Sequence, residues 1–146
     1  MSLTWNDKVV DKLIAQFGRR VEAAGIHLKN AVKENVSTPS RTVSFVTTKS
    51  GKKRKVLGPR GSNRSQPDEY FHKDSGFTRA HIASDYDPEK LKSRVGSPYK
   101  VLRYLELGTS KMAPRKGLRA TLDEEKQNIL EIIRTGNTVQ PSAAAE

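Results

Sequence analysis

Cysteine is missing from this chain, which excludes disulfides, thiolate nucleophiles and cysteine-ligated zinc. No apolar run approaches the ~20 residues that carry a helix across a bilayer. Aromatic residues are scarce at 6%, and apolar residues reach only 34% against 29% charged. That is polar for a compact domain, so part of the chain has little to bury against itself. Histidine occurs three times, at His27, His72 and His81, far apart and outside any H-E-x-x-H spacing, so no metal site is expected. The opening stretch MSLTWNDKVVDKL carries acids and has no apolar core followed by small residues. It does not read as a secretion signal.

Acids are also few: 16 stand against 27 bases, for a net charge of +11. The excess is unevenly placed. Residues 1–40 carry net +2, residues 41–119 net +12 and residues 120–146 net −3. A polyanion or an acidic protein face is the partner that such a field attracts.

A length of 146 residues fits one domain with one core. Residues 4–36 predict a long helix. Val10, Ile14, Phe17, Val21, Ala24, Leu28 and Ala31 recur at alternating spacings of four and three. Thr4 and Asp7 form an approximate capping box at its start. Gly18 and Gly25 weaken the helix by up to ~1 kcal/mol each relative to alanine, and leave room for a close neighbour.

Residues 37–40 break the helix. Thr42 to Thr47 alternates and is rich in β-branched side chains, Ser50-Gly51 marks a turn, and Arg54 to Leu57 returns. This predicts a β-hairpin. With the irregular stretch Gly58 to Pro67 it makes a basic arm over residues 41–67 that carries Lys49, Lys52, Lys53, Arg54, Lys55, Arg60 and Arg64. No acid interrupts residues 47–65. Such an arm either meets a polyanion or acidic partner, or is simply a solvated loop.

Beyond Gly76, the runs Phe77–Ser84, Leu91–Val95 and Tyr99–Leu107 read as three strands. The last is apolar on both faces, as a central strand would be. A final helix is predicted from Pro114 or Arg115 to about Arg134. Leu118, Leu122, Ile129 and Ile133 mark its buried stripe, and Gly136 stands at its C-terminal cap. Residues 137–146 read as a flexible tail. The expected fold class is therefore α+β: a small, mainly antiparallel sheet packed by a long N-terminal and a C-terminal helix, with a protruding basic hairpin. The single domain spans residues 1–136.

Catalytic patterns are weak. Ser50 to Arg54 lacks the G-x-x-x-x-G-K-[ST] spacing of a nucleotide loop. Pro67-Asp68 with Glu124-Glu125-Lys126 can be aligned with a nuclease P-D…E-x-K pattern, but its acids fall on a loop and a helix rather than on adjacent strands.

Three pieces in order carry a family resemblance. The long amphipathic helix comes first. Ser75-Gly76-Phe77-Thr78-Arg79-Ala80-His81-Ile82 then resembles a "TG-x-L-R-x-S-I" segment. Last, Val95-Gly96, Tyr99 and Tyr104-Leu105-Glu106-Leu107-Gly108-Thr109-Ser110-Lys111-Met112 resemble "VG…YA…YVEFGT-x-K-M". An "RPF-L-x-x-A-L" ending appears in altered form as Ala113 to Leu122, without its Pro-Phe pair. These pieces resemble the neck proteins of tailed phages, the small head–tail joining or tail-completion proteins of siphophages.

That resemblance implies a structural virion protein, not an enzyme, with no cofactor. Copies would close into a ring at the head–tail junction around the DNA channel, assembled in the host cytoplasm. Partners would be further copies, head-completion or connector proteins, tail-terminator or tail-tube proteins, and packaged double-stranded DNA, with no membrane. Glu106, Gly108, Thr109, Lys111, Met112, Pro114 and Arg115 would form the ring or neck interface. Glu106 would pair with Lys111 or with a neighbour's base. Equally, Gly108 and Thr109 suit an ordinary turn, through glycine's conformational freedom and a hydroxyl-to-backbone bond. The competing expectation is a free nucleic-acid-binding protein that uses the basic arm.

Overall fold

The computed structural model describes residues 7–59, 62–73 and 76–137. The element order is α1 (Asp7–Asn35), β1 (Val43–Thr47), β2 (Lys53–Leu57), α2 (Phe77–Ala80), β3 (Ala83–Asp87), β4 (Lys92–Gly96), α3 (Lys100–Leu107), α4 (Leu118–Glu124) and α5 (Lys126–Thr135). The fold is α+β. Its strands form two separate two-stranded antiparallel ladders, β1–β2 and β3–β4.

Helix α1 organises the body. Its second half supplies Ala24, Ala31 and Val32 to the core, and Val36 follows directly. Val32 and Val36 close with Phe71, Ile82 and Leu102 into one buried cluster. On one side α1 lies along the β3–β4 hairpin. Gly18 abuts Tyr86 and Leu91, and Gly25 abuts Ser93. The expected use of these glycines as a close-approach face is thus realised within the chain. On the other side α5 runs antiparallel to α1. His27 meets Glu125 near the start of α5, and Arg20 Nη1 donates to the Arg134 carbonyl at its end, at 3.0 Å. That cation and the left-handed Gly136 (φ 80°) together finish α5. Arg79 likewise donates to the Lys33 carbonyl in the last turn of α1, at 2.6 Å.

Helix α5 ends near the level of Arg20, so residues 7–17 of α1 run on past it by about 16 Å at 1.5 Å per residue, with Tyr86, Pro88 and Leu91 of the β3–β4 hairpin reaching alongside Asp11, Ile14 and Ala15. All of residues 7–17 are exposed except Val10, which is half-buried.

Three expectations are corrected. Tyr99–Leu107 is not a strand: α3 covers Lys100–Leu107. Its apolar residues suit either period, and Leu102 (buried) with Leu105 (half-buried) mark one helical face, leaving Val101 and Tyr104 outside. Phe77–Ser84 divides into the single turn α2 and the start of β3. The last helix does not start at Pro114 and is broken between α4 and α5, where Glu125 turns inward to His27 and Asn128. Consequently Ile132 is the fully buried residue of α5, while Leu122 stays 45% exposed. Thr4, Arg60 and residues 138–146 lie outside the described residues.

A test of the close packing follows. Gly25→Val drives a branched side chain into Ser93 and should lower the unfolding free energy by about 1–3 kcal/mol, read by urea denaturation.

Candidate functional site

Three surface features carry the functional content: the basic arm, the loop after α3, and an apolar groove along α1.

The arm is the β1–β2 hairpin. Val43 pairs with Leu57, Phe45 with Lys55, Val46 with Arg54 and Thr47 with Lys53. Gly51, at φ 77°, turns the tip, and Thr48 bonds across it to Lys52. Every residue of both strands is exposed, and the arm packs almost wholly on itself. Its anchorage lies at the base, where Gly58 N–H donates to the Thr42 carbonyl at 2.9 Å and Thr42 N–H donates to Ser62 Oγ at 2.9 Å. The arm is graded along its length: Val43, Val56 and Leu57 sit near the base, and Lys49, Lys52, Lys53, Arg54 and Lys55 towards the tip. Among the described residues none of these five cations forms an ion pair. Arg64 is exposed beyond the base.

The loop after α3 gathers the other predicted residues. Gly108 ends the helix at φ 74°, ψ −179°, a region almost confined to glycine. A Cβ there would lie 2.7 Å from the Met112 carbonyl oxygen and 2.9 Å from Pro114 N. Thr109 and Met112 exchange backbone bonds at 2.8 and 3.1 Å, closing a tight loop with Ser110 and Lys111 exposed at its tip. Pro114 is exposed, and Arg115 N–H then bonds back to the Leu105 carbonyl at 2.9 Å. Lys116 bridges to the strand-like segment at Glu69 to Phe71. Arg115 also holds a buried Nε without a partner among the described residues.

Glu106 works inside the chain. Its Oε1 accepts the Arg119 N–H at 3.1 Å, in the first turn of α4, while Gly117, which opens α4, leaves the room its carboxylate needs. A carboxylate at a helix N-terminus satisfies an orphan donor and the helix dipole. No Glu106–Lys111 ion pair occurs among the described residues. The E-x-G-T block is therefore a joint linking α3, the tight loop and α4, with Leu107, Thr109, Ser110 and Lys111 on its outer side.

The groove was not foreseen in the sequence. It has a volume of about 460 Å³. Its floor is the seam of α1 at Val21, Ala24 and Leu28, and its walls are Val95 of β4 and Leu118, Leu122, Ile129 and Ile133 of α4 and α5. The stripe expected to be buried in the C-terminal helix thus lines an open apolar channel instead.

A polar network flanks the core. His27 Nε2 and Glu125 Oε2 meet at 2.9 Å, both nearly buried, and Asn128 donates to the same oxygen at 2.7 Å. Tyr70 donates its hydroxyl to Glu124 Oε2 at 2.6 Å, and Asn35 reaches Thr121 at 3.2 Å. Burial, reinforced by the Glu124 carboxylate, pushes the Tyr70 hydroxyl up to about 12. Asp68 and Glu124, the acids of the nuclease-like alignment, lie on a turn and at the end of α4, not on paired strands. Among the described residues no three His, Asp or Glu side chains gather into a metal-holding group. No described helix is long and apolar enough to cross a membrane. No protein-family model, curated protein or solved structure matches the chain.

Two outcomes are expected. Gly108→Ala should cost roughly 1–3 kcal/mol of stability or more, whereas Thr109→Ser on the exposed side stays within about 0.5 kcal/mol, both read by urea unfolding. For Tyr70, the folded state keeps the phenol neutral where the unfolded chain has already released its proton, so stability should fall as pH rises from about 10 towards 12. Tyr70→Phe should flatten that part of the pH–stability curve, and an unchanged slope would refute the assignment.

Proposed function

We propose that this chain is a structural virion protein of a phage neck, forming a ring that completes the head–tail junction around the DNA channel. The observation that carries the reading is an imbalance between core and surface. Among the described residues eight apolar side chains are buried, while seventeen large ones are exposed. A lone domain scatters a few such residues over its surface, whereas an assembling subunit concentrates them for its neighbours. Here they cluster on the first half of α1, on the arm, and on the outer side of α3 with Leu107. The order of the motifs that resemble those of neck proteins supports the same reading.

In this reading the subunit needs no catalytic group. Repeated copies close a ring, which calls for surface complementarity and closed symmetry rather than chemistry. The loop from Glu106 to Arg115 is held rigidly, so its outer residues Thr109, Ser110 and Lys111 present a fixed edge to a ring neighbour, a connector or a tail-terminator protein. The arm supplies Lys49, Lys52, Lys53, Arg54 and Lys55 on a shaft that no other element restrains. Flexible cations of this kind make sequence-independent phosphate contacts, which suit DNA that must slide. They equally suit an acidic face on an adjoining ring.

The unpaired cations also favour a second reading, a free nucleic-acid-binding protein. The two readings separate by experiment. For the neck protein, the chain is found in the collar of purified particles. Replacing Lys52, Lys53, Arg54 and Lys55 by glutamine is expected to leave the unfolding midpoint unchanged and to reduce DNA-filled, tailed particles. Normal titre with stable filled heads would sink the arm's role. For the free binder, the isolated protein binds duplex DNA, and the same four changes flatten the plot of log affinity against log salt by about 3 to 4. A collar without this chain, together with that salt response, would overturn the neck assignment.

A further inference from the structure

The groove and the first part of α1 are two apolar features of the described residues left without a partner, and they belong to one chain. We infer that the groove of one copy receives the first half of α1, residues 7–17, from a second copy. The inference rests on the ring reading for its context, but the surfaces it names stand on their own geometry.

Shape is the first argument. The overhang is convex and helical, with Val9, Leu13, Ile14 and Phe17 between 44% and 59% exposed. At 100° per residue these four side chains, with Val10 among them, fall on one face of the helix. From Val9 to Phe17 the stripe measures about 12 Å. The groove is concave, and its floor from Val21 to Leu28 measures about 10 Å. An amphipathic helix laid in an apolar groove, with anchors one turn apart, is a recurrent mode of recognition.

Charge is the second. The chain carries +11, so most pairs of its surfaces repel one another. Residues 7–17 are an exception, with Asp7 and Asp11 balancing Lys8 and Lys12. On the helix Asp7 falls next to Ile14 at one edge of the stripe, Asp11 lies about 60° outside that edge, and Lys12 lies about 60° outside the opposite edge at Val9. The groove presents Arg119 at its lining, and its one acid, Glu106, is already occupied with the start of α4. The Asp7 edge of the stripe thus has the groove's Arg119 as its counter-charge.

The contact is between two different surfaces, so a joined pair keeps one free stripe and one free groove. Contacts of this kind propagate head to tail and close into a ring when the rotation per subunit allows.

The absence of cysteine makes the test clean. Two single-cysteine forms of the full chain are prepared, Leu13→Cys on the stripe and Leu122→Cys in the groove. They are mixed and oxidised, with Lys90→Cys, on the exposed β3–β4 turn, as the control partner for each. The expected product is a disulfide-linked dimer containing one Leu13→Cys and one Leu122→Cys chain, at least tenfold over either control mixture. Dimers formed mainly within the Leu13→Cys population, or no excess over the controls, would overturn the inference. Light scattering on the wild type and on Phe17→Asp separates the two levels of the argument. Wild-type multimers that Phe17→Asp converts to folded monomers support it. Multimers that survive Phe17→Asp refute the stripe and groove while leaving the ring intact. A wild type that remains monomeric at every concentration, with no crosslinking, refutes self-association by these surfaces.

Discussion

One packing arrangement holds this protein together: the second half of α1 is gripped on one side by the β3–β4 hairpin and on the other by α4 and α5. Every other part of the body reaches the core through that helix. Phe71, Ile82 and Leu102 come from three separate segments, and all close on Val32 and Val36. Two glycines on α1 bring the hairpin near, and a buried His27–Glu125 contact fixes where α4 gives way to α5. Such a pair is costly to desolvate and contributes mainly if its hydrogen bonds are complete. Here Asn128 supplies a further donor. The network therefore specifies register between helices more than it adds stability.

The constraint has a corollary at the surface. None of the first eleven residues of this 29-residue helix is buried. That exposed stretch, the open channel farther along the helix, and the outward residues of α3 are what remain when a short, polar chain folds around one long element.

The sequence made some of this legible and hid the rest for identifiable reasons. The long helix, the basic hairpin, the β4 segment and the Gly136 terminus are written in local periodicity and turn chemistry, and all appear. Tyr99–Leu107 misled because nine residues with apolar side chains on both faces satisfy either period, and only tertiary contact at Leu102 decides. The break at Glu125 had no local signal. It depends on a histidine 98 positions away. At the candidate site, the restriction at Gly108 was readable as a turn, but the occupation of Glu106 by α4 was not, since nothing in the spacing of the two tells which donor the carboxylate will find. The groove escaped for a simpler reason: a stripe of leucine and isoleucine looks the same in sequence whether it is covered or not.

The basic arm is joined to the body by a handful of bonds around Thr42, Gly58 and Ser62. Nothing in the core depends on its residues beyond that base. Its composition can drift, lengthen or change sign across generations without endangering the fold, so sequence change would accumulate there first, while the α1 framework stays under tight mutational constraint.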